Sequence, residues 1–172
     1  MSKRTELVKK LIGSYPPTFF TDYSPFRNCY AHALNCNYED REYLIYSPGA
    51  IYADFNGSDL FDEDGKYFFD YDLFIRLIKR DCSVLSIIAF TCTYDSKVEE
   101  GSSKIALTYS KADNDFHFLR QNVDGTWSHK PGFGSVIKRI KSELIPYNGE
   151  TTIEIGGIKY KVFEFMELHK KD

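Results

Sequence analysis

Long apolar runs are missing from this sequence of 172 residues. A membrane-spanning helix needs roughly 18 or more consecutive apolar residues, so we expect no membrane partner. Glu6, Lys9 and Lys10 interrupt the N-terminal stretch, which therefore lacks the apolar segment of a secretory signal and predicts a cytoplasmic protein. Long basic runs are missing too, and the formal net charge is -3. This composition argues against nucleic acid as a partner.

Cysteine is also scarce, and the chain contains four such residues, Cys29, Cys36, Cys82 and Cys92. An even number permits two disulfides, but the chain length and the missing signal favour free thiols. Hydrophobic residues make up 42%, which is enough for a folded core, and the length suits one domain spanning residues 1–172. Aromatic residues reach 16%, which favours a strand-rich core over a groove for sugar or peptide.

Helical patterns come first along the chain, and strand patterns follow them. Short helices are predicted over 4–12, from Asn28 onward and over 69–80, with a turn at 47–51. β-branched and alternating patterns then predict a series of strands, which are 83–93, 104–110, 115–121, 126–129 and the hairpin of 151–155 with 158–165. A further short helix is predicted over 135–145. This order predicts an α+β fold in which N-terminal helices pack on an antiparallel sheet built as a meander.

The pair Asn28-Cys29 places a thiol at the first turn of a predicted helix, with Asn28 as its cap. A cysteine nucleophile acts as the thiolate, and a helix N-terminus with a neighbouring histidine favours that charged form. The free backbone N–H groups at this end of the helix also stabilise the oxyanion of an acyl-transfer intermediate. Cys29 is therefore the candidate nucleophile, and a buried structural thiol is the alternative.

Two histidines follow in predicted strands and supply a base and its orienting partner. His117 shares a strand face with Asp115, and His129 lies on the next strand, across a turn marked by Asp124-Gly125. With the turn centred between residues 123 and 124, positions 117 and 129 lie within one residue of direct pairing. We predict that His117 takes the proton of the thiol and that His129 orients His117. Asp124 is a rival for the orienting role, although Asp-Gly favours a purely structural turn.

The strings DFHFLRQ, from Asp115 to Gln121, and DGTWSHKPG, from Asp124 to Gly132, resemble a block found in small bacterial and phage proteins of the papain-like, NlpC-type superfamily. The partner block of that superfamily is similar to NCYAHALN, from Asn28 to Asn35, followed by a Pro-Gly turn. The resemblance implies a helix-borne cysteine, a strand-borne histidine, and a second histidine 12 positions later. It also implies cleavage of amide bonds, although Asn-Cys-Tyr-Ala stands here where Asp-Cys-Ser-Gly is usual.

Three further residues are candidates for substrate binding. Arg120 suits a substrate carboxylate, with a solvated strand charge as the alternative, and Trp127 is either core or the wall of a groove. Tyr30, next to the predicted nucleophile, completes this set. No cofactor or metal is predicted. Cys29, His32 and Cys36 share a helical face, but a fourth zinc ligand is missing, and the acidic stretch 54–65 lacks the register of a calcium loop.

These observations predict a cysteine hydrolase that cleaves a peptide or isopeptide bond with Cys29, His117 and His129. A non-enzymatic binding protein of phage or mobile-element type is the first alternative, because without an export signal the chain is separated from cell-wall substrate. Its partner would be a host or bacterial protein. An acyltransferase or transglutaminase is the second alternative, because a thioester reacts with an amine as well as with water.

Overall fold

The computed structural model describes residues 28–36, 47–52, 69–132, 137–140 and 152–171. The predicted helix 4–12 and the acidic stretch 54–65 lie outside these residues. The described part has an α+β fold, as expected, with two helices and seven strands. These elements are α1 (Cys29–Ala33), α2 (Tyr71–Val84), β1 (Ile87–Cys92), β2 (Ser102–Ser110), β3 (Asp115–Gln121), β4 (Trp127–His129), β5 (Ile137–Ile140), β6 (Thr152–Ile155) and β7 (Ile158–Lys170).

The strands form one sheet in the order β1-β7-β2-β3-β4-β5, with β6 paired to β7, and every pairing is antiparallel. The predicted meander is correct from β2 to β4. It is wrong for the C-terminal strand, because β7 inserts between β1 and β2. Met166 and Leu168 of β7 pack in one hydrophobic cluster, whereas Val162 and Phe165 pack in another. A strand that is buried on both faces needs a central position in the sheet.

Two boundaries differ from the prediction around α2 and β1. Asp70 caps α2 by accepting a hydrogen bond from Leu73 N at 2.7 Å, but the helix continues to Val84, past the expected end at residue 80. The last turn buries Asp81 and Cys82, so packing of this turn overrides the strand propensity of the residues that follow. Strand β1 therefore begins at Ile87 rather than at residue 83.

The predicted helix over 135–145 is wrong where the structure describes it. Residues 137–140 form β5, which pairs with β4 through Trp127↔Ile140 and His129↔Ile137. The free edge of β4 explains the difference, because its backbone groups need partners that a helix would not supply. The weak helical pattern of this segment is overridden by the adjacent strand.

The turn between β3 and β4 is confirmed, and its form sets the register of the two strands. Asn122 N donates to Thr126 O at 2.7 Å, which leaves a loop of three residues that ends with Gly125 at φ 80°. A glycine in this left-handed conformation is typical of a three-residue hairpin loop with a bulge. The resulting register places Leu119 opposite His129. The predicted near-direct pairing of His117 with His129 is thus corrected to a diagonal one on the same face.

Both helices pack on the same face of the sheet. Tyr30 of α1 and Phe74 of α2 each contact Phe118 of β3, with ring centroids 4.9 and 5.8 Å apart. The opposite face carries the second hydrophobic cluster, which includes Leu119 and Trp127. Since side chains alternate along a strand, His117 points to the Leu119 face and Phe118 to the helical face.

Candidate active site

Cys29 is the first residue of α1, as predicted. Asn28 has an extended backbone, and its side-chain oxygen accepts a hydrogen bond from Ala31 N at 3.0 Å. This is the N-cap interaction expected from the sequence. The thiol is buried, and the backbone of Phe118 hydrogen-bonds to it. Cys29, the candidate nucleophile, therefore contacts Phe118, which follows His117 in β3.

Contacts along α1 hold the helix against β3 and β4. Arg120 Nη1 donates to His32 O at 3.1 Å, and His32 Nε2 lies 3.2 Å from Ser128 Oγ. Tyr30 adds the ring contact with Phe118. The helix has only 5 residues and would not be stable alone. Its position, and hence that of Cys29, depends on these tertiary contacts.

A second anchor of α1 is the carboxylate of Asp81 in α2. Tyr30 Oη donates to Asp81 Oδ2 at 2.8 Å, while Gly49 N and Tyr52 N each donate to this carboxylate at 2.7 Å. Burial raises the pKa of Asp81 to about 6, although these hydrogen bonds counteract the effect. The predicted turn at 47–51 is confirmed by Gly49 at φ +95°. The Asp81 carboxylate thus connects α1, this turn and α2.

Replacing Gly49 with alanine will destabilise the fold by about 2 kcal/mol, because the site needs both a left-handed backbone and open space. A Cβ atom there would lie 3.0 Å from Leu77 Cδ2. Urea unfolding measures the loss. Gly101→Ala is the matched control, since Gly101 has φ +84° with nothing within 4 Å of its Cβ position. Equal losses in the two variants would contradict the role of the Leu77 contact.

His117 and His129 meet directly on the face opposite the helices. His117 Nε2 lies 2.9 Å from His129 Nδ1, and both side chains are buried. Thr108 Oγ1 donates to His117 O at 2.9 Å and fixes the backbone of β3 at this point. The diagonal register of β3 and β4 thus brings together the two histidines that the sequence predicts to act as a pair.

The hydrogen bond between the histidines limits their protonation states. Two neutral imidazoles share one proton in this bond, so one ring donates and the other accepts. If His117 Nε2–H donates to His129 Nδ1, then His117 Nδ1 is the basic nitrogen of that ring. This tautomer leaves a proton acceptor on His117, and the reverse tautomer does not. The arrangement is the one required for His129 to orient a general base.

At neutral pH the Cys29 thiol and the imidazoles of His117 and His129 are all uncharged. Burial raises the pKa of Cys29 to about 12, although a hydrogen bond from the Phe118 backbone opposes that rise. Burial lowers the pKa of His117 to about 3, with a contribution from His129, and lowers the pKa of His129 to about 4. A thiolate near neutral pH, which the sequence alone suggested, is therefore disfavoured in the resting site.

Sequence reasoning missed a tyrosine–carboxylate pair beside these residues. Tyr160 Oη of β7 donates to Asp115 Oδ2 at 2.6 Å, and the Tyr160 ring lies 5.6 Å from the His117 ring. The charge of Asp115 raises the pKa of Cys29, so the carboxylate lies within electrostatic range of the thiol. Only the alternation that puts Asp115 on the His117 face was visible in the sequence; the partner is 45 residues away along the chain.

The three predicted substrate-binding residues are corrected, because each side chain is buried in internal contacts. Arg120 lies under α1 and donates to His32 O, and Tyr30 donates to Asp81. Trp127 packs in the second hydrophobic cluster against Phe165. Their exposed fractions are 0–1%, which leaves no surface for substrate. These three side chains instead have a structural role in the packing around the site.

The zinc alternative has no geometric support in the described part of the chain. Helix α1 ends at Ala33 and Asn35 has φ 55°, so Cys36 does not continue the helical face of Cys29 and His32. Among the described residues, no group of three or more His, Cys, Asp or Glu side chains is placed to hold a metal ion. All four cysteines are free thiols.

Comparison of the chain with protein-family models, with curated proteins and with solved structures finds no match. Within the residues that the structure describes, neither helix is long and apolar enough to cross a membrane.

Proposed function

We propose that this protein is a cysteine hydrolase that cleaves an amide bond, peptide or isopeptide, with Cys29 as nucleophile, His117 as base and His129 as the orienting residue. The observation that carries the proposal is the 2.9 Å bond between His117 Nε2 and His129 Nδ1. The strand that carries His117 also contacts the helix-borne thiol, through the backbone of Phe118. A papain-like core of NlpC type is part of the proposal, supported by this cysteine helix packed on a histidine-bearing strand.

The reaction begins from the neutral pair. As Cys29 Sγ bonds to the substrate carbonyl carbon, its proton passes to His117 Nδ1 and the carbonyl π electrons move to oxygen. The N–H groups at the start of α1 stabilise this oxyanion. The intermediate collapses with cleavage of the C–N bond, and the leaving amine takes the proton from His117. Water then attacks the thioester with His117 again as base, which releases the acid and restores the thiol.

Competitive alkylation among the four free cysteines tests this assignment. Cys92 is more exposed than Cys29, so access alone predicts that iodoacetamide reacts first at Cys92. Base assistance by His117 predicts that Cys29 reacts first, by about tenfold or more. Peptide mass spectrometry at neutral pH measures all four rates in one sample, with the buried Cys36 and Cys82 as internal references.

The His117→Ala variant separates base assistance from access, because it removes the imidazole while leaving α1 in place. We expect the advantage of Cys29 over Cys92 to disappear in this variant. A Cys29 rate that is unchanged by His117→Ala would overturn the proposed function. Near-ultraviolet circular dichroism of both proteins checks that the fold is retained.

A further inference from the structure

The proposed base needs a negative charge nearby, and the histidine pair does not contain one. Proton transfer from Cys29 creates an imidazolium at His117, whose side chain is 5% exposed, so water stabilises the charge poorly. In triads that end in a carboxylate, the third residue both orients and stabilises the imidazolium. His129 orients through its Nδ1 atom but is uncharged at neutral pH. The stabilising charge must come from another group.

The charged and titratable groups around His117 and its neighbour Tyr160 come from four elements and one turn. Cys29 belongs to α1, His129 to β4, Tyr160 to β7 and Asp115 to β3. Asp113 lies in the turn before β3, where its carboxylate accepts a hydrogen bond from Ser110 Oγ at 2.7 Å. Asp115 is the nearest anionic residue along β3, two positions before His117 and on the same face. It is therefore the candidate source of negative charge.

The tyrosine fixes where that carboxylate lies. Tyr160 is buried, donates its hydroxyl to Asp115 Oδ2 and packs its ring against the ring of His117. Within the described ranges, Asp115 forms no ion pair with lysine or arginine. The hydrogen bond from Tyr160 holds this carboxylate on the face of the sheet that carries His117.

We propose that Tyr160 and Asp115 are a positioning pair for the base, in which Tyr160 holds the Asp115 carboxylate where it stabilises the imidazolium of His117 formed during attack by Cys29. This inference rests on the proposed function. In a triad that ends in a carboxylate, one residue both orients the imidazole and stabilises its charged form. Here His129 orients the ring of His117, and Asp115 supplies the negative charge. The carboxylate also opposes a thiolate in the resting site, so the proton moves when substrate arrives.

The charged form of His117 can be observed in a variant that carries a negative charge in place of the Cys29 thiol. In Cys29→Asp, a carboxylate replaces the thiolate, and an acid at the first position of a helix is favourable. The titration of His117 is followed by its ring carbon–proton signal in nuclear magnetic resonance. Adding Asp115→Asn should lower the proton affinity of His117 about tenfold, and adding Tyr160→Phe should lower it about threefold.

Two matched substitutions control for local disturbance. Asp113→Asn removes an acid from the adjacent turn, and Tyr109→Phe removes a hydroxyl that donates to Asn114 Oδ1 at 2.8 Å. Neither should change the His117 titration by more than about twofold, because neither group adjoins the His117 ring. A response to Asp113→Asn equal to that of Asp115→Asn would show a general charge effect and overturn the pair.

A second measurement keeps the inference testable if Cys29→Asp does not fold. With His117 present, Asp115→Asn should slow alkylation of Cys29 about threefold at pH 8, because the imidazolium of His117 loses its counter-charge. In a His117→Ala background the same substitution should instead speed alkylation, because loss of the carboxylate favours the thiolate. An unchanged His117 titration in the folded Asp115→Asn chain, or an unchanged alkylation rate in the second design, would refute the role of Asp115. Failure of the proposed function is distinct, since it appears as insensitivity of Cys29 to His117→Ala with Asp115 intact.

Discussion

Replacing His129 with alanine will slow alkylation of Cys29 by about tenfold, and asparagine at the same position will restore the rate to within about threefold of the original protein. The reason is the single bond from His117 Nε2 to His129 Nδ1. Without an acceptor there, His117 is free to rotate and to place a proton on the nitrogen that should receive one from the thiol. Asparagine carries its oxygen at the position of Nδ1 and accepts the same hydrogen bond.

Iodoacetamide alkylation followed by mass spectrometry measures these rates at neutral pH. His169→Gln is the matched control, because His169 lies in β7 and its Nδ1 atom lies 2.9 Å from Ser102 Oγ, outside the candidate site. That substitution should reduce stability and leave the reactivity of Cys29 within about threefold. If alanine and asparagine at position 129 give the same rate, the orienting role of His129 is wrong.

Local signals in the sequence were sufficient for the parts of the site that depend on neighbouring residues. Asn28 predicts its own capping bond with Ala31 N, and Asp124-Gly125 predicts the hairpin that joins β3 to β4. These signals act over a few residues and need no tertiary contact. They place Cys29 at a helix start and His117 and His129 on adjacent strands, which is the core of the candidate site.

Long-range packing decided what the sequence could not. Strand β5 forms because β4 presents an open edge, and β7 lies between β1 and β2 because its side chains are buried on both faces. The sequence pattern of either segment gives no indication of its partner. Register was also uncertain by one residue until the three-residue loop was known. The observed partner of His129 is Leu119, two residues from His117, so the histidine pair is diagonal rather than direct.

The errors in residue roles have the same origin. Arg120 was predicted to bind a substrate carboxylate or to be a solvated strand charge, yet it is buried and bonds to His32 O in α1. The sequence assigns no special role to Asp115, because it does not show that Tyr160 lies beside this residue. The role of a charged side chain depends on the residues that the fold places next to it, so composition and spacing alone do not determine that role.

Acidification from pH 7 to pH 4 will destabilise the folded protein by about 4 kcal/mol. Burial lowers the pKa of His117 to about 3 and that of His129 to about 4, whereas both titrate near 6.5 when unfolded. The folded state therefore binds fewer protons than the unfolded state below pH 6.5. Stability from these residues is complete above that pH and is lost as the pH falls, by about 3 kcal/mol for each histidine at pH 4.

Asp81 acts in the opposite direction in part of this range. Its folded pKa is raised to about 6, so the folded state takes up a proton between about pH 6 and pH 4 that the unfolded chain does not, which offsets about 2 kcal/mol of the loss. Urea unfolding at pH 7, 5.5 and 4.5 measures the net slope. Replacing His117 with glutamine and His129 with asparagine removes both titrations, so that chain should become more stable on acidification as Asp81 dominates. A wild-type midpoint that stays constant from pH 7 to pH 4.5 would show that the two imidazoles are not buried as a neutral pair.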